Sequence, residues 1–165
     1  RLLSRLADKK LFPNLTRLVL AGHSAGGHLA AAMLASEWGR VAGVPADLVR
    51  AAYGLSGVYD LAPLIGTSLN EALHLSNGTA RASSPLFRPA PPKGRRFVAA
   101  VGGDESAEFL RQSREIAQAW ERAGVIAENV VVPGTNHFTI LDELTRADSP
   151  VLAGIVALAR EADGG

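Results

Sequence analysis

The chain has 165 residues, 47% of them hydrophobic and 20% charged, which suits one compact domain with a real core and excludes a disordered tail. A net charge of +1 with dispersed Lys and Arg gives no reason to expect nucleic acid, and no apolar run approaches the roughly 20 residues of a membrane span. The absence of cysteine excludes disulfides, thiolate catalysis and cysteine metal sites.

The opening segment RLLSRLADKKLF (1–12) reads as the end of an amphipathic helix, and the single methionine is Met33, so a fragment of a longer protein is expected. No signal peptide is recognisable, and a cytoplasmic setting is the expectation. The triplets Asn14-Leu15-Thr16 and Asn77-Gly78-Thr79 match the glycosylation pattern by accident on that reading. LTRLVLAG (15–22) predicts a buried strand, and the alanine-rich run from Ala25 to about Trp38 predicts a helix. DLVRAAYGLSG (47–57) contains a second strand. Residues 58–95, rich in Pro, Gly and Ser, predict an irregular excursion with short helical pieces within the same domain. RRFVAAVGG (95–103) is a third strand, and the preceding Lys93-Gly94-Arg95-Arg96 cluster is read as a solvated approach to it. Phe109, Leu110, Ile116, Ala117 and Trp120 then share one face of a helix ending near Gly124. ENVVVPG (128–134) is the fourth strand. Ser149 and Pro150 open a last helix carrying Val151, Leu152, Ile155, Val156 and Leu158.

Strands alternating with helices predict a mostly parallel sheet covered on both faces, with the functional edge at the carboxyl ends of the strands. Three loops leave the strands at that edge. The first holds Gly22-His23-Ser24-Ala25-Gly26, a G-x-S-x-G turn between a strand and a helix. Such a turn is sharp and strained, so residues larger than glycine two positions either side of Ser24 are expected to clash with backbone. It lifts the hydroxyl clear of the sheet at a helix N-terminus, where the Ala25 amide can face a developing oxyanion.

A serine nucleophile needs a base, and the base needs an orienting acid. Of the four histidines, His23 is held within the turn and directed away from the serine proton. His28 is a helix residue one turn on, and His74 an exposed residue of the excursion. His137 follows the last strand, where an imidazole can reach Ser24. Asp104 and Glu105 both follow the third strand, and the chemistry of the turn leaves the choice of acid between them open. The order serine, acid, histidine is that of the α/β-hydrolases.

The stretches AGHSAGGHLAAAML, LSGVYDLAPLIGTSLNEAL, SAEFLRQSREIA and NHFTILDEL resemble the arylformamidase (kynurenine formamidase) branch of the esterase/lipase group of α/β-hydrolases. That resemblance implies Ser24 as nucleophile, His137 as base and Glu105, three positions before Glu108, as acid, with Asp104 the alternative. Asp60 and Asn70 fall in these family-typical stretches near the site, and both are read as structural, holding the excursion against the sheet. The resemblance implies hydrolysis of N-formylkynurenine to kynurenine and formate in tryptophan degradation, with no metal or organic cofactor. Short acyl esters are the alternative substrates, and a non-catalytic hydrolase-like binding domain is the reading from another class. Family members carry a His-Gly-Gly segment before the turn, completing the oxyanion hole; none precedes Ser24, so the first strands of the sheet are expected to be missing. The partner expected is a small-molecule substrate, and a homodimer remains open.

Overall fold

The computed structural model describes residues 17–163, so the opening amphipathic segment and the Asn14 triplet lie outside the described residues. Four strands, β1 (Leu18–His23), β2 (Val49–Leu55), β3 (Arg96–Gly102) and β4 (Ile126–Val132), form one sheet in the order β1-β2-β3-β4. Every neighbouring pair is parallel, with Ala52 opposite both Leu20 and Phe97, and Ala100 opposite Val130. Parallel strands need crossovers, and the three here are helix α1 (Ala25–Leu34), the 58–95 excursion, and helix α4 (Ala107–Arg122).

The alternation of side chains along each strand divides the core in two. On one face Ala52, Phe97 and Ala99 pack with Ala30, Ala31 and Leu34 of α1 and Ile116 and Trp120 of α4. On the other, Ala51, Tyr53, Leu55, Val98 and Ala100 pack beneath Val151 and Leu158 of helix α5 (Pro150–Asp163). Helices therefore cover both faces, as the β/α alternation predicts.

Several boundaries shift. Helix α1 stops at Leu34, four residues short of the expectation, and Trp38 instead opens a 3₁₀ turn, its indole N–H donating to the Met33 carbonyl at 2.9 Å. β4 runs from Ile126 to Val132, starting two residues before the expected strand, because the Ile126 amide pairs beside β3 by donating to the Arg95 carbonyl at 2.8 Å; Asn129 is satisfied within the strand by donating to the Ala99 carbonyl at 3.0 Å. Ser149 does cap α5, accepting from the Val151 amide at 3.1 Å.

The excursion holds two short helices, α2 (Asn70–Leu73) and α3 (Asn77–Ser83), and 3₁₀ turns at Ala62–Gly66 and Pro85–Phe87. The Asn77-Gly78-Thr79 triplet belongs to a capping box: Thr79 N–H donates to Ser76 Oγ, and Ser76 N–H to Thr79 Oγ1. The Lys93–Arg96 cluster is not simply solvated. Arg95 is buried and donates to the Ala46 carbonyl at 3.0 Å, and Arg96 pairs with Glu161 on α5. Burial, reinforced by nearby Arg50, lowers the Arg95 guanidinium below its usual range.

Candidate active site

The carboxyl ends of all four strands contribute to one constellation. After β1 the chain reverses at Ser24, whose φ of 56° and ψ of −116° are rare for a residue with a side chain. Its amide donates to the Leu55 carbonyl at 2.9 Å, and α1 starts at the next residue. The glycines around it are not equivalent. A Cβ on Gly22 would lie 2.3 Å from the Gly26 carbonyl oxygen, and one on Gly27 would lie 2.8 Å from Gly57 Cα, whereas one on Gly26 would meet nothing within 4 Å among the described residues. The expected clash two positions from Ser24 thus holds at Gly22 and fails at Gly26; the close approach on the helix side falls at Gly27, where α1 crosses the end of β2.

His137, in the loop after β4, places Nε2 3.1 Å from Ser24 Oγ and Nδ1 2.9 Å from Glu105 Oε2. A carboxylate only accepts, so Nδ1 carries the proton, and Nε2 of the neutral ring accepts from the serine hydroxyl. Glu105 has no side-chain exposure, while His137 is 23% exposed, so the carboxylate is fixed and the imidazole reachable. A buried carboxylate is tolerated only when hydrogen-bonded. Here Oε1 accepts from the Gly102 amide at 2.7 Å and from Ser56 Oγ at 2.5 Å, and Oε2 takes the imidazole. Asp104, one residue earlier, is exposed, and among the described residues its amide alone is engaged, donating to the Thr135 carbonyl at 2.9 Å. The structure brings Ser24, His137 and Glu105 together and leaves Asp104 out.

Ser56 is the member that sequence reasoning missed. It follows β2 with a φ of 47°, is fully buried, and directs its hydroxyl onto Glu105. Nothing local marks it except its place at a strand end, where Gly57 follows.

The remaining candidates have other partners. His28 donates from Nδ1 to the Val58 carbonyl at 2.8 Å, pinning the start of the excursion to α1. His74 is exposed and closes α2 in a left-handed conformation. Asp60 binds the excursion to α4: Arg111 donates to its carboxylate at 2.9 Å, and Gln112 accepts from the Tyr59 and Asp60 amides at 2.7 and 2.8 Å. Among the described residues the Asn70 side chain bonds within the excursion, to the Ile65 and Leu75 carbonyls and the Leu75 amide, rather than to the sheet. Phe109, expected on the buried face of α4, instead lays its ring 4.6 Å from that of His137, and exposed Phe138 meets the same ring edge-on. These two rings, with Asp104, Ser106 and Asn136, line a cavity of about 430 Å³ beside His137.

Ala25 heads α1, so its N–H is among the first-turn amides that have no acceptor within the helix. A negative oxygen formed beside Ser24 Oγ would meet that amide and the positive end of the helix. Among the described residues no group of three or more His, Asp or Glu is placed to hold a metal, and no helix is long and apolar enough to cross a membrane.

The chain is 34% identical over 142 residues to a kynurenine formamidase of Salmo salar, a match covering 83% of this chain and 48% of that protein. It is 34% identical over 137 residues to one of Danio rerio, covering 81% and 46%. Among solved structures, a provisionally assigned thioesterase from Silicibacter sp. TM1040 superposes with a TM-score of 0.74 at 30% identity, over 93% of this chain and 56% of that one. This is an α/β-hydrolase fold. Within it, esterase 2 of Thermogutta terrifontis, in a butyrate-bound structure, gives a TM-score of 0.57 at 25% identity, over 87% of this chain and 54% of that one. The chain spans about half the length of the curated relatives it matches. No protein-family model matches it. β1 and α1 flank the Ser24 turn, and the loops after β3 and β4 carry Glu105 and His137.

Proposed function

We propose that the protein is a serine hydrolase working through an acyl-enzyme, with Ser24 as nucleophile, His137 as base and Glu105 as acid. The observation that carries the proposal is the hydrogen-bonded chain Ser24 Oγ, His137 Nε2, His137 Nδ1, Glu105 Oε2, built on a serine in a strained turn at a helix N-terminus. Ser24 Oγ attacks the substrate carbonyl as His137 Nε2 takes its proton. Glu105 holds the imidazole in the required tautomer and offsets the charge of the imidazolium. The tetrahedral oxyanion is met by the Ala25 amide. Its collapse expels the leaving group, which collects the proton from His137, and a water activated by the same imidazole then releases the acid.

The formamidase relatives support N-formylkynurenine as the substrate, the formyl group passing to Ser24 and leaving as formate. A second reading, a carboxylesterase for short acyl esters, is favoured by the esterase from Thermogutta terrifontis and its bound butyrate. Labelling of the protein as encoded by a fluorophosphonate probe, and its loss in Ser24→Ala, tests the nucleophile. Turnover of N-formylkynurenine against p-nitrophenyl acetate then separates the substrates. Formamide hydrolysis is the expected dominant activity, and ester turnover with the formamide untouched would reject it.

A further inference from the structure

We infer that His23 is a positioning residue that holds the His137 loop over Ser24; the catalytic part of this inference rests on the serine hydrolase reading. His23 Nε2 lies 2.7 Å from the main-chain oxygen of His137, across 114 residues of sequence. A carbonyl can only accept, so His23 is the Nε2–H tautomer and donates. The two imidazole rings stand 4.6 Å apart, tilted by 45°.

The His137 loop leaves β4, the last strand in the described sheet order, and continues into Phe138, which is 76% exposed. The loop is tied to the body upstream by Asp104 N–H donating to the Thr135 carbonyl, and downstream by its own short turn, with Ile140 N–H donating to Asn136. Between these ties, His23 is the group among the described residues that holds the His137 peptide.

The geometry makes a two-point fixture. His23 and Ser24 are consecutive: the first grips residue 137 by its main chain, the second by its ring. One hydrogen bond sets a distance and leaves rotation free, whereas two between the same short segments fix both distance and angle. The Ser24 turn thus presents the hydroxyl and also sets how far the imidazole stands from it. The bond to Glu105 fixes the far side of the ring but not the main chain behind it.

The test compares His23→Phe, which keeps ring volume without a donor, with His23→Gln, whose amide can donate to the same carbonyl. A base displaced by ~1 Å costs roughly 10²-fold in rate. His23→Phe is therefore expected to lower fluorophosphonate labelling and kcat for p-nitrophenyl acetate by about 10- to 100-fold, with KM within about twofold. His23→Gln recovers a large part of the loss. Long-range imidazole ¹H–¹⁵N spectra give a readout independent of turnover, with His23 as the Nε2–H tautomer and the His137 Nδ1–H signal broadened or lost in His23→Phe alone. An unchanged His137 signal, or equal losses in both variants tracking their melting temperatures, would overturn the inference. A wild-type protein that never labels would overturn the hydrolase reading, and the spectra would still decide the role of His23.

Discussion

Gly22 and Gly26 occupy matching places in the G-x-S-x-G turn, yet substitution by alanine should move stability in opposite directions. At Gly22 the new Cβ would sit 2.3 Å from the Gly26 carbonyl oxygen and 2.4 Å from its carbon, about 1 Å inside ordinary contact. Both atoms are backbone at the start of α1, so relief requires shifting the helix or β1. Forcing a methyl into a close-packed contact costs ~1–3 kcal/mol. At Gly26 a Cβ meets nothing within 4 Å, and the position lies in the first turn of α1 without a positive φ. Alanine there restricts the unfolded chain and favours the helix, stabilising by ~0.4–1 kcal/mol. For a domain of this size each kcal/mol moves the melting temperature by about 2–4 °C. Thermal unfolding followed by circular dichroism should show Gly22→Ala several degrees below the parent and Gly26→Ala level with it or higher. Equal losses in the two variants would refute the steric account of this turn.

Other predictions concern the same edge. Ser24→Gly relieves a left-handed φ that costs ~1–3 kcal/mol, whereas Ser24→Ala keeps it, so the glycine variant should melt a few degrees above the alanine one while both lose fluorophosphonate labelling. Ser56→Ala removes one of three donors to the buried Glu105 carboxylate. A hydrogen bond to a charged group contributes ~1.5–3 kcal/mol, and a urea titration showing less than about 0.5 kcal/mol lost would count against that role. The Arg111 hydrogen bond, aided by Gln112, holds the Glu108 carboxyl below its usual range. The sign is that of a depressed acid: its stabilisation is complete above the ordinary value of 4.5 and disappears as pH falls through the folded value. Glu108→Gln should flatten the acid limb of stability between about pH 5 and the folded value, as read by melting temperature in a pH series.

The sheet was legible because β2 and β3 are almost wholly apolar and bounded by turn residues, and the crossover rule left little freedom in ordering them. The first two residues of β4, Ile126 and Ala127, are hidden in the sequence because Glu128 and Asn129 separate them from the apolar run, as an edge strand permits. At the site, the place of Ser24 followed from its flanking glycines, but which glycine is forced depends on where α1 passes Gly57, a contact with no local trace. Asp104 and Glu105 are adjacent in one turn, so chemistry alone could not choose between them. The turn closed by Glu105 N–H on the Gly102 carbonyl aims one inward and the other outward. The contributions of Ser56 and His23 span 49 and 114 residues and exist only after the strands have paired.

The hydrogen-bonded chain draws one group from beyond each strand: Ser24 after β1, Ser56 after β2, Glu105 after β3 and His137 after β4. It therefore behaves as a logical AND over the pairing of the four described strands. A slip of two residues in any one parallel register moves its contribution by roughly 6.6 Å, beyond the reach of its partner. Reactivity at Ser24 should consequently appear last in refolding and vanish first in partial unfolding, so a labelling reagent would count the molecules whose four strands are all in register.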